Sequence, residues 1–203
     1  MPTLLFGRVC RWELGIIVTV TLFALLLRNF ILMAISFVTF LFLIYFYRVP
    51  SFMVETLGKN VLQSPSTGKI IKIQKKETGN KIFIFLSPLD PHVQFVPFEG
   101  FVRKVDRVAG FNEFAGTFKE NKNRMITDIE MLNGGIITVT QNTGLVARRI
   151  VNFLEPGEWV KKGDQLGLIK FGSRVDVLVP DSFQLKVVQG QRVETGDVLA
   201  VLK

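Results

Sequence analysis

The apolar beginning of this chain limits its architecture more than any other stretch. After Glu13, fourteen residues run to Leu27 without a charge, and Phe30 to Tyr47 adds eighteen more, with Arg28-Asn29 between them. A single spanning helix takes about 20 apolar residues. Two arrangements satisfy that length: one long tilted helix enclosing Arg28, or two short helices hinged at Arg28-Asn29. An arginine at mid-membrane costs roughly 2.5–3.5 kcal/mol on insertion scales, so the hairpin with its turn at an interface is favoured. The hairpin also returns Arg8, Arg11 and Arg48 to one side, which the positive-inside rule makes cytoplasmic. Trp12, Tyr45 and Tyr47 suit an aromatic belt. A cleaved signal peptide fits poorly, because the apolar region is too long and no small-x-small site follows it. The expectation is a retained anchor over residues 1–50, spanning the bilayer or lying within one leaflet. Residues 51–203 then stand on the cytoplasmic side of the cell membrane.

Charge narrows the partners. The chain carries 25 Lys and Arg against 17 Asp and Glu, and basic residues still outnumber acidic ones across residues 51–203. Beside an anchor, the acidic partner such a surface implies is an anionic lipid. Nucleic acid is not expected, since no stacking aromatics interleave the basic residues in a recognisable motif. With Cys10 the single cysteine and His92 the single histidine, a disulfide framework, a cysteine zinc site and a histidine-rich metal site are all excluded.

Beyond Arg48-Val49-Pro50 the pattern is one of short strands broken by Gly and Pro, with no sustained helical periodicity. Lys69–Gln74 and Lys81–Leu86 read as strands joined at Thr78-Gly79-Asn80. Phe98–Val108 reads as another strand, and residues 111–123 as a polar loop. Met125–Leu132 and Ile136–Gln141 flank Asn133-Gly134-Gly135, a strong hairpin signal. Leu145–Phe153 continues the sheet and carries Arg148 and Arg149, which on a strand point to opposite faces. An internal repeat occupies the end of the chain: residues 157–166 (GEWVKKGDQL) match 190–199 (GQRVETGDVL), with Gly, Val, Gly, Asp and Leu coinciding. The repeat resembles the hammerhead turns of biotinyl and lipoyl carrier modules and of membrane-fusion adaptors. A carrier needs a lysine at the tip between its halves, where this chain has Gly172-Ser173-Arg174; an adaptor needs long helical hairpins there, and none is visible. The fold class expected is predominantly β: a barrel- or sandwich-like domain with hammerhead turns, preceded by an α-helical membrane hairpin.

Gly172-Ser173 interrupts the apolar run that begins at Leu166, and a glycine inside a strand often marks a bulge or a close backbone approach. Three stretches read together give it more meaning. Residues 86–93 (LSPLDPHV), 119–124 (KENKNR), and the run from Gly144-Leu-Val-Ala-Arg-Arg-Ile150 to Phe171-Gly-Ser-Arg-Val-Asp176 resemble segments of the short, membrane-anchored type of phosphatidylserine decarboxylase proenzyme. Archaetidylserine-specific members are included in that resemblance, which covers nearly all of residues 40–180. The third stretch is the specific one.

The resemblance implies self-processing. Ser173 attacks the carbonyl of Gly172, the resulting ester eliminates, and a pyruvoyl group remains on the new N-terminus. The products are a β chain, residues 1–172, and an α chain, residues 173–203, held together as a heterodimer. The covalent pyruvoyl carbonyl then acts as an electron sink for decarboxylation of an anionic aminophospholipid, which makes an external cofactor unnecessary. A serine hydroxyl is a weak nucleophile at neutral pH and needs a base. His92 stands where the family has a histidine, and an unperturbed imidazole pKa of about 6.5 suits a general base or acid. Arg148 and Arg149 are candidates for lipid phosphate.

One departure from the family stands out. Where it usually has Pro-Ala-Asp-Gly, with an aspartate that helps cleavage, this chain has Pro65-Ser66-Thr67-Gly68. A threonine hydroxyl cannot serve as a carboxylate base, and Asp90 and Asp176 are the candidate replacements. The chain is thus expected to be a phosphatidylserine or archaetidylserine decarboxylase, with an uncleaved, non-catalytic lipid-binding relative of the same fold as the alternative.

Overall fold

The computed structural model describes residues 11–50, 58, 60–110, 123–144, 149–170 and 173–203. The chain forms two compact units, Met1–Val49 and Pro50–Lys203. The first is a helical hairpin of α1 (Arg11–Leu26) and α2 (Phe30–Phe46). Its hinge falls at the expected place. Arg28 has a φ of 50°, and the Asn29 side chain caps α2 by accepting from the Leu32 amide at 3.1 Å. The Thr21 and Ser36 hydroxyls hydrogen-bond across the pair, while Trp12, Leu22, Phe30, Ile31 and Phe37 stay mostly exposed. At 1.5 Å per residue, helices of 16 and 17 residues fall short of a hydrocarbon core of about 30 Å. No helix among the described residues is long and apolar enough to cross a membrane.

Among the described residues the second unit is all β. Its strands are β1 (Val61–Gln63), β2 (Gly68–Lys76), β3 (Gly79–Leu86), β4 (Val93–Phe95), β5 (Gly100–Val108), β6 (Arg124–Glu130) and β7 (Ile136–Thr143). They continue with β8 (Arg149–Asn152), β9 (Trp159–Val160), β10 (Gln165–Lys170), β11 (Ser173–Pro180), β12 (Phe183–Leu185), β13 (Arg192–Val193) and β14 (Val198–Leu202). One sheet has eight strands in the order β13-β2-β3-β11-β7-β6-β5-β9, and two sheets have three each, β1-β14-β12 and β4-β10-β8. The apolar faces of these sheets enclose one core, including Ile70, Ile84, Leu86, Val139, Ile169 and Val175. The two expected hairpins form, with Gly134 at φ 79° in the second. The expected loop lies outside the described residues over 111–122, as does the first part of the expected strand, over 145–148.

These sheets express the repeat on a larger scale than the end of the chain shows. The eight-strand order reads as a palindrome in which β13, β2, β3 and β11 match β9, β5, β6 and β7, and the two small sheets match each other. Backbone details agree in both halves. Gly157 and Gly190 have φ of 92° and 91°, and Gly163 and Gly196 have 87° and 92°. The Lys161 amide donates to the Asp164 carboxylate at 2.7 Å, as the Glu194 amide does to Asp197. A Cβ on Gly68 would meet the Phe85 carbonyl at 2.4 Å, and one on Gly100 would meet the Glu130 carbonyl at 2.4 Å. Module B is continuous, residues 93–170. Module A is split, residues 61–86 and 173–202, with B threaded between its halves. The second half of A resumes at Ser173.

Candidate active site

Segment 87–92 leaves the end of β3 and carries His92. Its form is set locally: the Asp90 carboxylate accepts from the Ser87 amide at 2.8 Å, and the Asp90 amide donates to the Ser87 carbonyl at 2.9 Å. Ser87 to Asp90 thus form a four-residue turn closed by the Asp90 amide and by its side chain reaching back to the first amide. The turn delivers His92 into the interior, where it is fully buried. Its Nδ1 lies 2.6 Å from the Asp90 carbonyl oxygen. A carbonyl only accepts, so in the neutral ring the hydrogen sits on Nδ1 and the lone pair on Nε2. Asp90 therefore orients His92 through its main chain. Its carboxylate also pairs with Arg192.

A chain of buried amides continues from the histidine. The His92 carbonyl accepts from the Ile169 amide at 3.1 Å and from Gln94 Nε2 at 2.8 Å. Gln94 Oε1 in turn accepts from Gln141 Nε2 at 2.8 Å. Gln141 is fully buried on β7, and its Oε1 has no partner among the described residues. An unfilled buried acceptor costs free energy, so its place here calls for a ligand, a water or a reacting group. Close by, Gly167 leaves no room for a side chain: a Cβ would stand 2.3 Å from the Val151 carbonyl and 3.1 Å from Gln141 Nε2.

Ser173 is the first residue of β11, opposite Leu86 on one side and Thr143 on the other. Four positions upstream, Ile169 is bonded to His92. Segments 86–92 and 169–173 are thus joined at both ends. Gly172 is outside the described residues, as is Arg148; Arg149 is exposed on β8, opposite Lys170. Thr67 precedes Gly68, just beyond the Lys69–Phe85 pair near the end of β3. Its hydroxyl accepts from the Thr195 amide at 3.1 Å and lies 3.2 Å from the Thr195 hydroxyl.

Asp176 occupies another environment. Val175 and Val177 enter the core, and Asp176 alternates with them onto the opposite face of the sheet. There Arg174 grips its carboxylate through Nε at 2.6 Å and Nη2 at 3.1 Å, with Lys81 Nζ at 3.3 Å. Arg174 had no role assigned from sequence, though Arg-x-Asp on a strand already implies a same-face pair. Gln94 and Gln141 were also missed. The one available signal was that Gln141 shares the inward alternation of Ile137 and Val139.

Comparison with known proteins agrees with this geometry. The family model for phosphatidylserine decarboxylase matches residues 42–201. A phosphatidylserine decarboxylase proenzyme of Neorickettsia sennetsu is 37% identical over 170 residues, covering 78% of this chain and 75% of the relative. One from Carboxydothermus hydrogenoformans is 36% identical over 181 residues, covering 84% of each chain. An Archaeoglobus fulgidus protein, provisionally named an archaetidylserine decarboxylase proenzyme, is 35% identical over 163 residues, covering 79% of this chain and 78% of its own. With a family match over residues 42–201 and these relatives 35–37% identical across more than three quarters of its length, this chain belongs to the phosphatidylserine decarboxylase family.

Proposed function

We propose that the chain is a proenzyme that cuts itself between Gly172 and Ser173 and then decarboxylates phosphatidylserine or archaetidylserine to the ethanolamine lipid. The observation that carries this reading is the register holding residues 169 and 173 against His92 and Leu86. In the cleavage, Ser173 Oγ adds to the Gly172 carbonyl carbon and gives up its proton, for which His92 is the candidate base. The C–N bond breaks and an ester forms. Loss of the Ser173 α-hydrogen expels the Gly172 carboxylate, and water releases ammonia from the dehydrated residue to leave a pyruvoyl group.

The residues present fit that group. A new terminus at 173 begins a strand already paired on both sides, and the buried Gln141 Oε1, an acceptor, suits the amine of the substrate and not the pyruvoyl carbonyls, which only accept. Once formed, the pyruvoyl group supplies an electron sink beside the substrate α-carbon. His92, held by the Asp90 carbonyl, is the group to return a proton to that carbon after carbon dioxide leaves. Gln94 and Gln141 fix the His92 backbone and line the polar side of the site. The exposed apolar side chains of α1 and α2 support a membrane-embedded hairpin, and the proposed orientation has the β unit cytoplasmic.

Intact mass of wild type beside Ser173→Ala tests the reading. Wild type should separate under denaturing conditions into residues 1–172 and a pyruvoyl-ended 173–203, while the variant stays whole at 23.0 kDa. An unbroken wild-type chain with no decarboxylase activity overturns the proposal and leaves a non-catalytic lipid-binding relative.

A further inference from the structure

Modules A and B share a backbone but bury different chemistry at equivalent places. Register equates β1 and β14 of module A with β4 and β10 of module B, so Leu62 opposite Ala200 corresponds to Gln94 opposite Gly167. In the large sheet Val177 on β11 corresponds to Val139 on β7, and two residues further Val179 corresponds to Gln141. The residue ahead of each small sheet matches too. The Leu202 amide donates to the Asn60 carbonyl at 2.8 Å, as the Ile169 amide does to the His92 carbonyl at 3.1 Å. Module A fills these interior places with Leu62, Val179 and Ala200, all fully buried in the core. Module B fills them with two amides and a glycine.

The fold does not need the amides, since the same backbone closes over apolar side chains in its other copy. Burying a polar group costs free energy unless it is hydrogen-bonded, and this pair leaves one atom unfilled. The direction of the chain identifies that atom. The His92 carbonyl only accepts, so Gln94 turns its NH2 toward it and its Oε1 toward Gln141. Gln141 meets that oxygen with its own NH2, and its Oε1 points onward with no partner among the described residues. Gly167 makes room for the same amide, because a Cβ there would stand 3.1 Å from Gln141 Nε2. In the β7–β11 ladder Gln141 opposes Val175, two residues from the Thr143–Ser173 pair. Diagonal neighbours in a sheet lie roughly 7–8 Å apart, within reach of a long side chain.

We propose that Gln141 is a specificity-determining residue that selects the amine of the substrate, its Oε1 accepting a hydrogen bond from the headgroup nitrogen. Gln94 holds the amide in that direction and Gly167 leaves it space. The inference rests on the decarboxylase reading and assigns a residue to its substrate. The headgroup of an aminophospholipid offers phosphate, ester and carboxylate oxygens, which at neutral pH only accept. Its amine alone has hydrogens to donate. A neutral acceptor in a dry site therefore distinguishes this headgroup by its nitrogen.

The test uses the full chain in detergent, after maturation, with two short-chain lipids that have no carboxylate to lose. Dihexanoyl phosphatidylethanolamine carries the amine, and dihexanoyl phosphatidylethanol has a methyl group in its place. In equilibrium dialysis wild type should prefer the amine lipid. Gln141→Val and Gln94→Leu/Gln141→Val, which copies module A, should mature to the same two fragments by intact mass. Both should bind the amine lipid on the order of tenfold more weakly while binding the ethanol lipid as wild type does. The KM for phosphatidylserine should rise by a similar factor, with kcat changing less. Gln141→Asn, which keeps an amide but draws its oxygen back by one carbon, should show the same selective loss and covers the case in which the double variant does not fold. Equal weakening of both lipids overturns the proposal and makes Gln141 a packing residue. No weakening, or a wild type that does not distinguish the two lipids, overturns it by leaving the oxygen to water. A folded Gln141→Val chain that fails to mature overturns it by moving the residue to the cleavage step. Wild type that neither cleaves nor decarboxylates removes the decarboxylase reading and this inference with it. Cleaved, active wild type whose Gln141 variants treat both lipids alike removes this inference alone.

Discussion

Leu86 and Ser173 face each other across the β3–β11 ladder, although the whole of module B is threaded between them. In module B the equivalent strands β6 and β7 are joined by the short turn Met131–Gly135. The corresponding connection of module A has been opened to admit a second copy of the fold, and the Gly-Ser pair sits where the chain re-enters.

That placement predicts how the cut protein behaves. β11 lies between β3 and β7, and β14 lies between β1 and β12, so residues 173–203 are woven into two sheets. The two fragments should co-elute in native size exclusion and separate only in denaturant. Ser173→Ala should melt within about 2 °C of the cleaved protein, since no strand depends on the severed bond. Spontaneous loss of the small fragment from the native protein would contradict this arrangement.

Thr67→Asp should accelerate maturation. The Thr195 amide already donates to the residue-67 side chain, so an introduced carboxylate finds a hydrogen-bond donor in place. A gain on the order of tenfold or more in the cleavage rate is expected from a positioned acid–base group. A pulse–chase of newly made chains measures it. A rate equal to or below wild type would show that this chain does not use the missing acid.

His92→Ala should abolish turnover and slow or stop cleavage, with losses of about 10²–10⁴-fold in each step. Scoring both steps separates the roles. If His92 acts only before the cut, matured protein inactivated at the histidine by chemical modification under mild denaturation and refolding would retain decarboxylase activity; we expect it to be inactive. Because the side chain is fully buried, His92→Gln is the companion variant that retains a polar group.

Asp176→Leu should be the most damaging single change on the outer face. It strands Arg174 and Lys81 without their carboxylate, and breaking a buried pair from one side costs about 3–5 kcal/mol. Arg174→Met/Asp176→Leu should recover much of that loss, as apolar replacement of both partners commonly does. Urea midpoints for the two variants and wild type decide the matter. Equal destabilisation by the single and double changes would refute the pairing.

Much of this molecule was legible in its sequence because its signals are local. Asn-Gly-Gly fixed a hairpin, Arg28-Asn29 a hinge, and Gly-x-Val with Gly-Asp the paired turns, each through backbone chemistry confined to a few residues. His92 and Ser173 were legible through motif likeness alone, since nothing in their spacing reveals that Ile169 bonds to the one and Leu86 pairs with the other. The split of module A was not legible. Copies β1–β3 and β4–β6 share geometry while keeping few side chains in common, and strand order arises from pairing across distant segments. Asp90 shows the same limit at one residue: it was a candidate replacement acid, but the turn at Ser87 claims its carboxylate and only its carbonyl reaches the imidazole.

The palindromic strand order has a mechanical consequence. A scission at the seam between two interleaved halves removes a covalent tether without freeing any edge, so the protein can alter its own chemistry while its scaffold stays still. On the proposed reading, maturation is a change of end group inside a finished wall. An inhibitor that aimed to hold the two halves apart would have no gap to enter.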